Sequence, residues 1–188
     1  MITKTIKGKE YSMRNLLNEI TLLETSKIAE IMANESADFT DKWLRVIEML
    51  AGRDFVNALS TKTFVEVVSA IEMNNVKFEL QDTIEVNNRI YKCTIEDEEI
   101  ELTARDLAKI ENLAKKGGAW LHKAYAVVYK DVLLTDTEHY DDAHIKHKAD
   151  IFGATVTAEQ CSSVIFQINK QIVENIQQLI DAQSKTVS

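Results

Sequence analysis

Proline does not occur once in the 188 residues of this chain, and that absence constrains its fold more than any motif it carries. Proline removes an amide donor and clashes with the preceding helical turn, so a chain without it can run helices that end only at caps or glycines. Glycine occurs only five times, against about 7% in an average chain. The elements are therefore read from periodicity and from capping residues.

Residues 2–13 alternate around Gly8 and predict a short N-terminal hairpin. Thr21 and Glu24 form a Thr-x-x-Glu capping box, which opens a helix to about Ala33. A second helix is predicted from Asp41 to Ala51, because Phe39, Trp43, Val46, Ile47 and Leu50 fall at three- and four-residue spacing, with Gly52 as its stop. A third follows Ser60, with Phe64, Val67, Val68 and Ile71 inward, and ends at Asn74-Asn75. Residues 76–102 change to period two and predict two or three strands, with Asn87-Asn88 as a tight turn. Thr103 and Asp106 open another helix, closed by Gly117-Gly118. Helices over Trp120–Tyr129 and Asp141–Phe152 follow, and Gly153 separates the last element. That element starts at a Thr157-x-x-Gln160 box and continues for about 25 residues, or roughly 38 Å.

These readings predict an α+β fold, predominantly helical: a short N-terminal hairpin, small central hairpins, and a helical remainder ending in a long C-terminal helix. Residues 1–153 are expected to form the α+β domain, and 154–188 the long helix and tail. Within the domain, Ile20-Thr21-x-x-Glu24-x-x-Lys27-Ile28 echoes Leu102-Thr103-x-x-Asp106-x-x-Lys109-Ile110. Each is preceded by a strand tyrosine (Tyr11, Tyr91) and followed by a Trp-Leu-basic triplet at Trp43 and Trp120. Two similar strand-plus-helix lobes, 1–75 and 76–153, would explain the echo; so would the general frequency of capping boxes.

Thirty acidic and 22 basic residues leave a net charge of −8, the wrong sign for bulk attraction to nucleic acid or anionic membranes. Cys93 and Cys161 lie far apart without a CxxC, which fits a reducing compartment better than a disulfide scaffold. The opening residues lack an apolar core of the signal-peptide kind, and no long uncharged apolar run follows, so neither a signal peptide nor a membrane span is expected.

Few residues suggest chemistry. There is no G-x-S-x-G, Walker A or G-x-G-x-x-G pattern. Three of the four histidines, His139, His144 and His147, cluster with Glu138, Asp141 and Asp142. Imidazole and carboxylate together suit zinc, and a metal-dependent enzyme would use this 139–147 cluster. Its spacing matches no zinc motif, however, and a solvated helix face is the plainer reading. Cys161 opens the last helix, where the dipole can lower a thiol pKa, but a cysteine on an apolar stripe is more often core. Glu96 to Glu99 reads as a turn facing water. Lys109, Lys115, Lys116, His122 and Lys123 form the one dense basic stretch, with Trp120 and Tyr125 beside it. A helical nucleic-acid-binding regulator would use that stretch; a helix end with cations complementing its dipole accounts for it more simply. No catalytic residue, metal or cofactor is assigned.

The C-terminal stripe comes close to a heptad seam. Ile165, Ile168, Ile172, Ile176 and Leu179 are read as an interface through which the chain pairs with itself or with a partner.

One resemblance adds to this. The order of a strand, a Leu/Ile-Thr-x-x-Glu helix, "DKWLRVIEMLAG", "ALSTKTFVEVVSAI", a strand pair, "ELTARDLAKIE" and "WLHKAYAVVYKD" resembles the accessory and assembly proteins of tailed-bacteriophage tails and baseplates, including tail assembly chaperones. It runs over most of residues 1–153, and Tyr140-Asp141 matches the Tyr-Asp-rich helix that follows such a phrase. It implies a non-enzymatic role in virion assembly, in the bacterial host cytoplasm or within the virion, with tail or baseplate proteins or a second copy as partners. The long Gln/Asn-rich C-terminal helix departs from the pattern and leaves transient chaperone and permanent virion part both open.

Overall fold

The computed structural model describes residues 2–14, 19–72, 80–97, 99–161, 163–168, 170 and 171. The fold is α+β and predominantly helical. Strands β1 (Ile2–Ile6) and β2 (Lys9–Met13) pair antiparallel, turning at Lys7 and Gly8, which both take positive φ. Four helices follow: α1 (Leu22–Ala33), α2 (Phe39–Ala51), α3 (Arg53–Ala58) and α4 (Thr61–Glu72). Next come a second antiparallel pair, β3 (Thr83–Val86) and β4 (Arg89–Lys92), and a two-residue pair, β5 (Ile95–Glu96) and β6 (Glu99–Ile100). After them lie α5 (Ala104–Lys115), α6 (Leu121–Val128), β7 (Lys130–Asp131), α7 (Asp136–His139) and α8 (Asp142–Thr155). Strand β7 joins β4, so one three-stranded sheet runs β3-β4-β7.

The local signals act as chemistry requires. Thr21 and Glu24 form a complete capping box on α1, as do Thr103 and Asp106 on α5. Asn87 and Asn88 both take positive φ in the β3-β4 turn, which short polar side chains tolerate better than most. Gly52, at φ +85°, ends α2 but leads directly into α3, a helix that periodicity did not reveal. The Asn74-Asn75 stop lies outside the described residues.

Two apolar clusters hold the elements. Met13, Trp43, Val46, Ile47, Leu50, Phe55, Val67 and Val68 form the first, where Tyr11 of β2 stacks obliquely on Phe55 at 5.3 Å. The second gathers Leu22, Tyr91, Ile110, Tyr125, Tyr129, Phe152, Val164 and Ile168, and there Tyr91 of β4 meets Phe152 edge-on at 4.7 Å. At the centre of the second cluster is α6. Every residue of it but Lys123 is buried, as its nearly uniform apolar sequence demands, and α1, α5 and α8 surround it.

Gly153 does not separate two elements, as the sequence had suggested. It lies inside α8, buried, where a Cβ would stand 3.2 Å from the Leu23 Cβ and 3.6 Å from the His122 ring. The missing side chain is what lets α8 approach α1 and α6. Gly153→Val should therefore destabilise the protein by about 1–3 kcal/mol, even though valine is the better helix former. A urea midpoint equal to wild type would show that the helices can part at no cost.

The C-terminal helix begins beside α1. Thr21 and Thr157 form an isolated antiparallel bridge: the Leu22 amide donates to the Val156 carbonyl at 2.7 Å, and the Ala158 amide to Ile20 at 3.1 Å. Two capped helix starts are thus stitched side by side. No helix among the described residues is long and apolar enough to cross a membrane.

Candidate functional site

The histidine cluster is not a solvated face throughout. His147 is exposed, but His139 is buried, and so is Lys148 one turn beyond His144. The cause lies at the far end of α6, where the last carbonyls of a helix have no partner of their own. His139 meets the Val127 carbonyl through Nε2 at 2.9 Å, and Lys148 Nζ donates to the Tyr129 carbonyl at 2.8 Å. The two side chains also meet each other, with Lys148 Nζ 3.1 Å from His139 Nδ1.

These partners fix the histidine tautomer. A carbonyl only accepts, so His139 Nε2 carries the proton and Nδ1 accepts from Lys148. Both acceptors of Lys148 are neutral. Burial accordingly drives the Lys148 pKa down to about 7 and that of His139 down to about 4; the nearby Lys148 charge also lowers His139, while Asp131 and Asp106 act the other way on Lys148.

A second network adjoins it. Asp106, the capping residue of α5, is buried and accepts from the Thr103 amide at 3.0 Å, the Thr103 hydroxyl at 2.7 Å and the Tyr140 hydroxyl at 2.6 Å. Lys130 Nζ stands 3.5 Å from the same carboxylate and donates to the Tyr140 hydroxyl at 3.3 Å. Burial pulls the Lys130 pKa down, but Tyr140 and Asp106 outweigh it and hold it above the ordinary value. The Arg105 guanidinium covers the Tyr140 ring at 4.0 Å. Spacing revealed Asp106 as a cap, but not as the hub joining α5, β7 and the turn after α7.

The basic stretch divides. Lys115 pairs with Glu111 along the exposed side of α5, and His122 turns inward to Ser26, its ring nitrogen 3.3 Å from the hydroxyl. Burial, with Lys123 adding to it, lowers the His122 pKa. Lys109, Lys116 and Lys123 instead line a concave pocket of about 300 Å³, together with Lys146 of α8. Its remaining lining is Asn112, Leu113, Ile145 and Asp142. Lys109 is ion-paired with Asp142 and holds that carboxyl below the usual carboxylate range. Trp120 lines a different groove, beside Ser26, Glu30 and Gly118, and Tyr125 is buried. The aromatics that looked like companions of the lysines are therefore not on the same surface.

The proposed C-terminal interface needs correcting at its best-described position. Ile168 is 1% exposed within this chain's own core, beside Val164 and Cys161, and Ile165 packs against the same cluster. A face used in that way is not free for another chain. Two glutamines hold it down: Gln167 Oε1 accepts from the Ile100 amide, and Gln171 Nε2 donates to the Ile100 carbonyl, so the side chains complete the edge of β6. The outward apolar residue here is Phe166, 69% exposed. Ile172, Ile176 and Leu179 lie outside the described residues. The Cys161 thiol is buried, and burial pushes its pKa up to about 12, so the helix dipole does not make it reactive.

Among the described residues, no three His, Cys, Asp or Glu side chains gather as a metal site would need. No protein-family model, curated protein or solved structure matches the chain.

Proposed function

We propose that the chain is a non-enzymatic assembly protein acting through protein contact, of the kind that serves tailed-bacteriophage tails and baseplates, in the bacterial host cytoplasm and in the virion where it is retained. The observation that carries this reading is an apolar patch held out toward solvent at the β4-β7 edge. Ile90 is 45%, Val132 48% and Leu133 76% exposed. The backbone beneath them is pinned: the Val132 amide donates to the Ile90 carbonyl at 3.4 Å, and the Leu133 amide to Asp131 Oδ1 at 3.0 Å. Arg89 Nη1 lies 3.3 Å from the other Asp131 oxygen and braces the turn from the neighbouring strand. Exposed aliphatic side chains on neighbouring, pinned backbone are the kind of surface that protein contacts use.

The internal polar groups support the same reading. His139 and Lys148 spend their hydrogen bonds on the end of α6 and on each other, which is structural work. The test is co-elution on size exclusion with light scattering, mixing the purified chain with the tail tube and baseplate proteins encoded in the same genome. A defined complex is expected, weakened at least tenfold by Leu133→Asp with the melting temperature unchanged. Absence of a complex with any of those proteins would overturn the assignment.

A further inference from the structure

We infer that the lysine pocket between α5, α6 and α8 is a binding site for a small oligophosphate group, either the free anion or one carried by a nucleotide. Lys109 is compensated by Asp142. Lys116, Lys123 and Lys146 have no ion-pair partner among the described residues, and all three line one concavity in a chain whose net charge is −8. Like charges brought together repel unless an anion sits between them, and with 30 acidic residues to draw on the fold places a single carboxylate here.

The shape narrows the ligand. A cavity of about 300 Å³ is at the small-molecule end of the range of binding sites, and its concave wall, with Leu113 and Ile145 as its apolar lining, concentrates the field of the lysines. Lys123 belongs to the first turn of α6 and Lys146 follows the first turn of α8, so the cations come from two different helices. Three separated point charges on flexible stems suit the spread of negative oxygens along a phosphate chain. A nucleic-acid strand would call for stacking platforms beside the cations, and Trp120 and Tyr125 are turned elsewhere.

The test is calorimetric titration of the full chain with tripolyphosphate at low ionic strength, with ATP and a twelve-residue oligothymidylate as separate arms. Saturable 1:1 binding of tripolyphosphate is expected, weakened about tenfold or more by Lys146→Glu and by less than twofold by Lys62→Glu, which makes the same change in net charge at an exposed position of α4. Lys116→Gln provides an independent loss of affinity should Lys146→Glu not fold. ATP binding more tightly than tripolyphosphate would identify a nucleotide as the source of the phosphates; equal affinity would identify the phosphate chain itself. The inference fails if tripolyphosphate shows no saturable binding, if Lys62→Glu weakens it as much as Lys146→Glu, or if the oligothymidylate binds more tightly than either phosphate.

Discussion

Ile168→Glu should unfold the protein rather than dissociate an assembly. Ile168 is 1% exposed in the second apolar cluster, and losing a buried aliphatic side chain of this size costs about 1.5–3 kcal/mol by itself. A carboxylate forced into the same place finds no counter-charge among Cys161, Val164 and the aromatic rings of that cluster, and an unpaired buried charge adds more than the lost apolar contact. The total should exceed about 4 kcal/mol, a large share of a domain's stability. Phe166→Glu, two residues away on the exposed side, should change stability by no more than about 0.5 kcal/mol. Urea denaturation with light scattering separates the cases. A smaller particle with wild-type stability in Ile168→Glu would show that the residue meets another chain.

Stability should also rise with pH from about 7 to 9, and Lys148 should be the reason. Its folded pKa of about 7 lies below the ordinary 10.5, so between those values the unfolded chain holds a proton that the folded chain has given up. Stability then increases with pH through that window and is lost as pH falls toward 7, by about 4 to 5 kcal/mol over its full width. His139, lowered from 6.5 to about 4, acts in the same sense at lower pH, removing stability as pH falls from 6.5 to 4. Above about pH 9 the buried thiols, and above pH 10 the buried tyrosines, reverse the trend: burial raises the pKa of Cys161, Cys93, Tyr125 and Tyr129, so the unfolded chain loses those protons first. Lys148→Met should flatten the rise between pH 7 and 9 in urea midpoints. A wild-type curve already flat there would mean that Lys148 stays charged in the fold.

What the sequence by itself determined is whatever closes within a few residues. The capping boxes at Thr21 and Thr103 join groups three positions apart, and the Asn87-Asn88 turn depends on its own backbone dihedrals. Of the stripe Phe39, Trp43, Val46, Ile47, Leu50, which repeats along a single helix, the last four are buried and Phe39, at the helix start, is exposed. None of these needs knowledge of a distant neighbour, so the helical α+β character was legible from residue order alone. Tertiary structure decided the fate of polar and small residues. Lys148 and His139 look solvated in sequence because the carbonyls that accept them, at Tyr129 and Val127, belong to another helix. Gly153 reads as a stop, yet the approach of Leu23 and His122 makes it an interior contact. Lysines scattered from 109 to 146 share a pocket only because α5, α6 and α8 converge. Ile168 belongs to a stripe that suits a second chain as well as a core. It lies inward because Gln167 and Gln171 fasten that helix to the backbone of Ile100, roughly seventy residues away in sequence and fixed only by the folded chain.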